Sequence, residues 1–259
     1  MLGAYAGFLN ASFRSAFAYR AWVVTQLVRN VIAVLVQAAL WRWVFRDDPG
    51  QIRFMTAYVV ASQLLGIVMR NGTSYLVAGK VVTGDFAYDL LKPVNVLLAY
   101  EATALGQMLA ALLTRGVPLL AGFGWAFFGL GIDAGRFALG LALAALGFLF
   151  AQLVYLHFAY LSFLLLGIGP VVRIFDSLAF ILSGAVVPLA FFPAPLEAVV
   201  SWLPFSYLYS LPIRALLGDL GGPELGRALT GLACWIVALA LALAVFSRRA
   251  VRHAVVQGG

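Results

Sequence analysis

Residues 83–95 read TGDFAYDLLKPVN, and they decide the fold because long apolar runs lie on both sides of them. Asp85, Asp89, Lys92 and Pro93 make this stretch polar. Each unpaired backbone group left in hydrocarbon costs several kcal/mol, so such an insert must sit in water or against a partner. The flanking runs are then where the chain crosses a membrane. Composition agrees: of 259 residues, 64% are apolar and 10% charged, against about 45–50% and about 25% in soluble domains. A crossing takes roughly 20 residues, so the length allows about six spans. No soluble catalytic domain fits in the remainder.

Working outward, the chain reads as one transmembrane domain over residues 1–259. Residues 1–21 set Phe8, Phe13 and Phe17 among Arg14 and Arg20, the pattern of a helix lying in the interface. They lack the cleavage site of a compact signal peptide, so this segment is expected to be retained. The first span is expected at 22–45, ending in an aromatic girdle of Trp41, Trp43 and Phe45. After the polar turn RDDPGQIR (46–53) the second span covers 54–77, with Arg70 and Asn71 near its inner end. The polar loop, taken with its flanks, covers 79–101.

Residues 96–130 are too many for one perpendicular crossing. Glu101, Gln107 and Arg115 fall early in this run, and Gly116 and Pro118 can kink it. The third span is therefore expected at 113–130, with the preceding half along or below the membrane surface. The fourth span is expected at 137–166 and the fifth at 171–189, closing on Ser183, Gly184 and Pro188. Residues 191–222 are rich in proline (Pro193, Pro195, Pro204, Pro212) and predict one or two short helices that dip into the outer face. The sixth span, 225–246, precedes a basic tail, 247–259, with Arg248, Arg249, Arg252 and His253.

Six crossings put both termini and the loop on one side. Eleven of the 17 basic residues then fall on that side and six on the other. The excess of Lys and Arg makes the loop side cytoplasmic. Four of the ten acids accompany the eleven bases and six accompany the six, so the formal charge of +7 is all internal. The basicity is topological. It forms no soluble cationic face of the kind that nucleic-acid binding needs.

Residues with catalytic chemistry are sparse. His157 and His253 have no metal-ligand spacing to another His, Cys or acid. The lone Cys234, beside Trp235 in an apolar run, reads as a packing residue. Gly79-Lys80 resembles the end of a phosphate-cradling loop, but Ser74 and Val81 stand where a glycine and a Ser or Thr are required. No cofactor or metal site is expected on this chain. If transport costs ATP, another subunit hydrolyses it. The alternative is a stand-alone proton-coupled carrier or a membrane scaffold, for which Asp176 and His157 are the candidate residues.

Three places resemble ABC-2 type permeases, in the branch of six-span subunits of about this length. Gly84-Asp85-Phe86 followed by Asp89-Leu90-Leu91-Lys92-Pro93-Val94-Asn95 is similar to that family's cytoplasmic loop. An amphipathic amino terminus before a first span ending near tryptophan matches residues 2–45. Ser183-Gly184 to Pro188, Phe192-Pro193 and Leu203-Pro204-Phe205 resemble the end of its fifth span and its outer re-entrant helices.

The resemblance implies an all-α integral membrane protein with six transmembrane helices, a coupling helix between spans 2 and 3, and re-entrant helices between spans 5 and 6. It further implies an exporter subunit in a prokaryotic cell membrane, paired with an identical or paralogous permease and two copies of a separate ATPase that holds ATP and magnesium. Gly84, Asp85, Phe86, Asp89, Leu90, Leu91, Lys92 and Pro93 would form the docking helix, with Phe86, Leu90 and Leu91 as its apolar anchor and Asp85, Asp89 and Lys92 as its charged rim. Pro188, Pro193, Pro204 and Phe205 would shape the outer region. The substrate stays open.

Overall fold

The computed structural model describes residues 2–69, 72–165 and 167–250. Arg70, Asn71, Arg252 and His253, used above to orient the chain, lie outside the described residues, as does Leu166 at the expected end of the fourth span. Every regular element among the described residues is helical.

Helix α1 (Leu2–Ser15) is followed by α2 (Arg20–Val44) and α3 (Pro49–Met69). Helix α4 (Thr73–Thr83) leads into the polar loop, which holds the single-turn α5 (Phe86–Leu90). Next come α6 (Val96–Ala111), a π-helical turn (Leu112–Gly116) and α7 (Val117–Phe123), then α8 (Ala134–Leu161) and α9 (Ile168–Leu182). The outer segment contributes α10 (Ala194–Trp202) and α11 (Ser210–Leu217), and α12 (Gly222–Ala250) ends the described chain.

Among the described residues, five helical stretches are long and apolar enough to cross a membrane: Arg20–Val44, Pro49–Thr83, Val96–Phe127, Ala134–Leu161 and Gly222–Val245. The fifth crossing expected at 171–189 is different. Helix α9 has 15 residues, about 22 Å at 1.5 Å per residue, short of a hydrocarbon core of about 30 Å. Beyond Leu182 the apolar chain continues without regular helix to Pro188.

Residues 96–127 form one continuous rod in which the anticipated irregularity takes the form of the π turn. Pro118 has no N–H to offer the carbonyl of Thr114, and its ring crowds that carbonyl. The wider π turn at 112–116 accommodates the mismatch.

Helix α3 is buried all round. Residues Met55 to Ser62 are each inaccessible, and a helix without a polar face belongs inside a bundle. It feeds two apolar cores. Ala57, Tyr58 and Ala61 join Leu143 and Phe150 of α8 and Ile213 of α11. Met55, Val59, Val60 and Ile67 join Val34 and Trp41 of α2 and Leu119 of α7.

On α8, Gly140 and Gly147 lie two turns apart on one face. A Cβ at Gly147 would meet the Tyr207 carbonyl oxygen at 2.6 Å, and one at Gly140 would meet Leu216 Cβ at 2.9 Å. The outer segment thus lies flush on α8, the close approach that small residues permit between membrane helices.

Helix α1 packs along α6. Ser12 Oγ donates to the Thr103 carbonyl at 2.7 Å. At Gly106 a Cβ would collide with the Leu9 carbonyl oxygen and approach the Phe13 nitrogen to 3.0 Å. Both are backbone atoms and cannot turn aside. In a free helix, Gly→Ala gains about 1 kcal/mol. Here Gly106→Ala is expected to release α1, seen as faster proteolysis of residues 2–15 with the spans unaffected. Unchanged protection of that segment would show the packing to be loose.

Candidate functional site

The loop is built around one carboxylate. Helix α4 ends at Gly84, whose φ of 78° is the left-handed conformation that suits glycine at a helix terminus. Thr83 Oγ1 donates to Asp85 Oδ2 at 2.8 Å across this corner. Helix α5 then turns once. The Lys92 N–H bonds back to the Asp89 carbonyl at 3.2 Å, and Pro93 has no N–H with which to continue. Asn95 restarts the chain: its Oδ1 accepts from the N–H groups of Leu97 (3.1 Å) and Leu98 (3.2 Å), capping α6.

Asp89 points inward and is 4% exposed. Lys80 Nζ of α4 lies 2.5 Å from Oδ2 and Lys92 Nζ 2.6 Å from Oδ1. The Tyr100 hydroxyl of α6 donates to Oδ2 as well. One carboxylate thus fastens α4, α5 and α6 together. Phe86, also buried, packs edge-on against Phe163 at 4.8 Å between ring centres and lies 6.4 Å from the Tyr100 ring. Helix α1 completes the cluster. Tyr5 Oη accepts the Asn95 N–H at 3.0 Å, and Lys92 Nζ lies 6.0 Å from the centre of the Phe8 ring.

Burial pushes the Asp89 carboxyl up, but the bonds from Lys80, Lys92 and Tyr100 outweigh it and set it at about 2, below the ordinary 3.8. An acid held low in the folded state stabilises it fully above the unfolded value, and the contribution is lost as pH falls through the folded one. Amide protection factors over 84–95 are therefore expected to hold steady from neutral pH down to about 3.8 and to decline from there towards about 2. A decline centred near pH 6 would point to a different group.

The structure thus corrects two orientations. Phe86 was expected in the outward apolar anchor and Asp89 in the charged rim, and both face inward because the loop needs a core and a tether of its own. Exposed instead are Asp85, Tyr88, Leu90, Leu91, Lys92 and Pro93, with Leu91 at 81% and Tyr88 at 71%. Gly84 stays at the corner. Sequence reasoning missed Lys80, Tyr88 and Tyr100. Lys80 drew attention only as part of a failed nucleotide motif, and nothing in the spacing ties Tyr100 to Asp89 without knowledge of how α4 and α6 pack.

On the far face, Pro188 precedes a 3₁₀ turn (Leu189–Phe191) and Pro193 precedes α10. Pro204 opens a second 3₁₀ turn, Pro204–Tyr207, in which Phe205 lies 5.7 Å from Phe175 of α9. The Phe191 ring lies tilted against Trp41 (5.3 Å) and Phe45 (5.9 Å), joining the outer segment to the end of α2.

The family model described as ABC-2 family transporter protein matches residues 49–258, from the first residue of α3 through the loop, the outer segment and α12. The chain belongs to the ABC-2 transporter family. It is a multi-pass membrane protein and a permease of an ABC transporter, the membrane component of a machine whose family works with ATP-binding cassette subunits. Helices α1 and α2 precede the match, so the contacts of Tyr5 and Phe8 with the loop add to the ABC-2 permease from outside the matched region. No curated protein matches the sequence.

Proposed function

We propose that this permease is the transport half of an ATP-driven exporter in a prokaryotic cell membrane. Two permeases, identical or paralogous, form the path, and two copies of a separate ATPase dock on residues 84–93 from the cytoplasm, the side that also holds both termini. Six passes fit this orientation, with α9 and the irregular chain above it making the fifth. The substrate is not specified by this reading.

One observation carries the proposal. The exposed apolar residues Tyr88, Leu90 and Leu91 stand on a loop whose buried carboxylate, carried on α5, is bonded to α4, to α6 and to Lys92. A push on the knuckle therefore moves α4, α5 and α6 as a body. Family membership supplies the partner, and exposed apolar anchors within a charged rim are what a protein interface requires. Of the residues named for the proton-coupled alternative, Asp176 accepts the Tyr155 hydroxyl at 2.7 Å and His157 Nδ1 lies 2.7 Å from the Leu153 carbonyl oxygen.

The test is to express the permease with candidate ATP-binding subunits and measure efflux of a dye panel from vesicles. Co-purification, and efflux that stops on ATP depletion, are expected. Efflux that survives ATP depletion and collapses with the proton gradient would defeat the proposal.

A further inference from the structure

The corner that closes α9 has an unusual set of bonds. Three successive carbonyls are taken by other elements: Ser183 O by the Ser210 N–H (3.0 Å), Gly184 O by the Tyr58 hydroxyl (2.8 Å) and Ala185 O by Ser62 Oγ (2.6 Å). Tyr58 and Ser62 lie one turn apart on α3, and each is 2% exposed. Gly184 has a φ of 82°, and a Cβ there would stand 3.1 Å from both the Tyr58 hydroxyl and Ser210 Cβ, so only glycine fits the corner.

Depth gives these bonds their meaning. At 1.5 Å per residue, Tyr58 and Ser62 lie about 14 and about 20 Å along α3 from Pro49. The corner therefore sits well inside a hydrocarbon layer of about 30 Å. Irregular backbone survives at such depth only where protein groups satisfy it or where it lines a water-filled space. The first condition holds, since the hydroxyls satisfy the corner. Tyr58 and Ser210, which hold it, also line a cavity of about 1430 Å³, whose walls include Cys234 at depth and Asp48, Glu197 and Asp219 towards the outer face.

We infer that the Ser183–Ala185 corner, lying behind Tyr58 and Ser210, closes the inner end of this outer cavity, and that Tyr58 and Ser62 are positioning residues that hold the corner shut. A shift of their helix, α3, breaks two bonds at once and frees the corner. This rests on the transport reading above, but its test needs neither the cargo nor the ATPase.

Cys234 is the one cysteine of the sequence, its side chain is exposed, and it lines the cavity. In vesicles holding the full-length permease in known orientation, a membrane-impermeant maleimide is expected to label Cys234 from the outer face only. Tyr58→Phe combined with Ser62→Ala removes the two hydroxyls and little volume. It is expected to raise labelling from the loop face about tenfold or more, since each lost bond shifts the closed population. Ser62→Thr retains a hydroxyl and is expected to keep labelling one-sided, a rescue that generic loss of packing would not give. If the double variant fails to insert, Ser62→Ala alone carries the same comparison.

Labelling that stays one-sided in variants of unchanged thermal stability overturns the inference, as does a wild type labelled from neither face. Wild-type labelling from the loop face alone, becoming two-sided in the variant, upholds the corner and overturns the proposed orientation instead.

Discussion

Asp89→Ala is expected to loosen the loop while leaving the spans in place. The substitution takes away the acceptor shared by Lys80, Lys92 and Tyr100. Removing one partner of a wholly buried pair costs about 3–5 kcal/mol. Here the lysine side chains are 32% and 49% exposed and can turn to water. About 2 kcal/mol is therefore the expected loss, on the order of thirtyfold in the opening equilibrium. Hydrogen exchange over residues 73–95 would report it, with α8 as the internal reference. Asp89→Asn keeps an acceptor for Tyr100 without the charge and is expected to fall between wild type and alanine. Equal protection in all three proteins would mean that the carboxylate fastens nothing.

Leu91→Glu is expected to act in the opposite manner, leaving stability alone and removing partner binding. The side chain is 81% exposed, so a charge there meets only water in the free permease. At an interface the same carboxylate would be buried without a partner. Hot-spot losses of about 2–4 kcal/mol correspond to roughly 30- to 1,000-fold in affinity. Retention of the ATPase on immobilised permease measures it, with the melting temperature as control. Phe86→Ala is the informative contrast, because Phe86 packs inside the loop and its loss is expected to lower stability first. If Leu91→Glu holds the ATPase as firmly as wild type, the exposed knuckle is not the contact.

Hydropathy made much of the bundle legible. The first, second, fourth and sixth expected spans each overlap an apolar helix of sufficient length, because burial in lipid demands apolar side chains on every face and leaves long runs in the sequence. The polar loop was legible for the converse reason. What escaped was set by packing between distant segments. Past Arg173 and Asp176 the run to residue 189 is largely apolar, yet α9 stops at Leu182. The partners of that corner lie 126 and 123 residues earlier, in two hydroxyls of α3 that bond its carbonyls. Likewise, Glu101 and Arg115 suggested a surface helix over residues 96–112, whereas the segment is continuous with α7 across the π turn. In the loop, the side on which Asp89 falls depends on the angle between α4 and α6, which no local pattern encodes.

The inward carboxylate divides labour across residues 80–100, since the side chains that keep the loop's shape are not those that greet the outside. Tyr88, Leu90 and Leu91 can be exchanged as a set without disturbing Lys80, Asp89 or Tyr100. Under the docking proposed above, a permease arranged this way would be re-addressed to a foreign engine by transplanting three side chains.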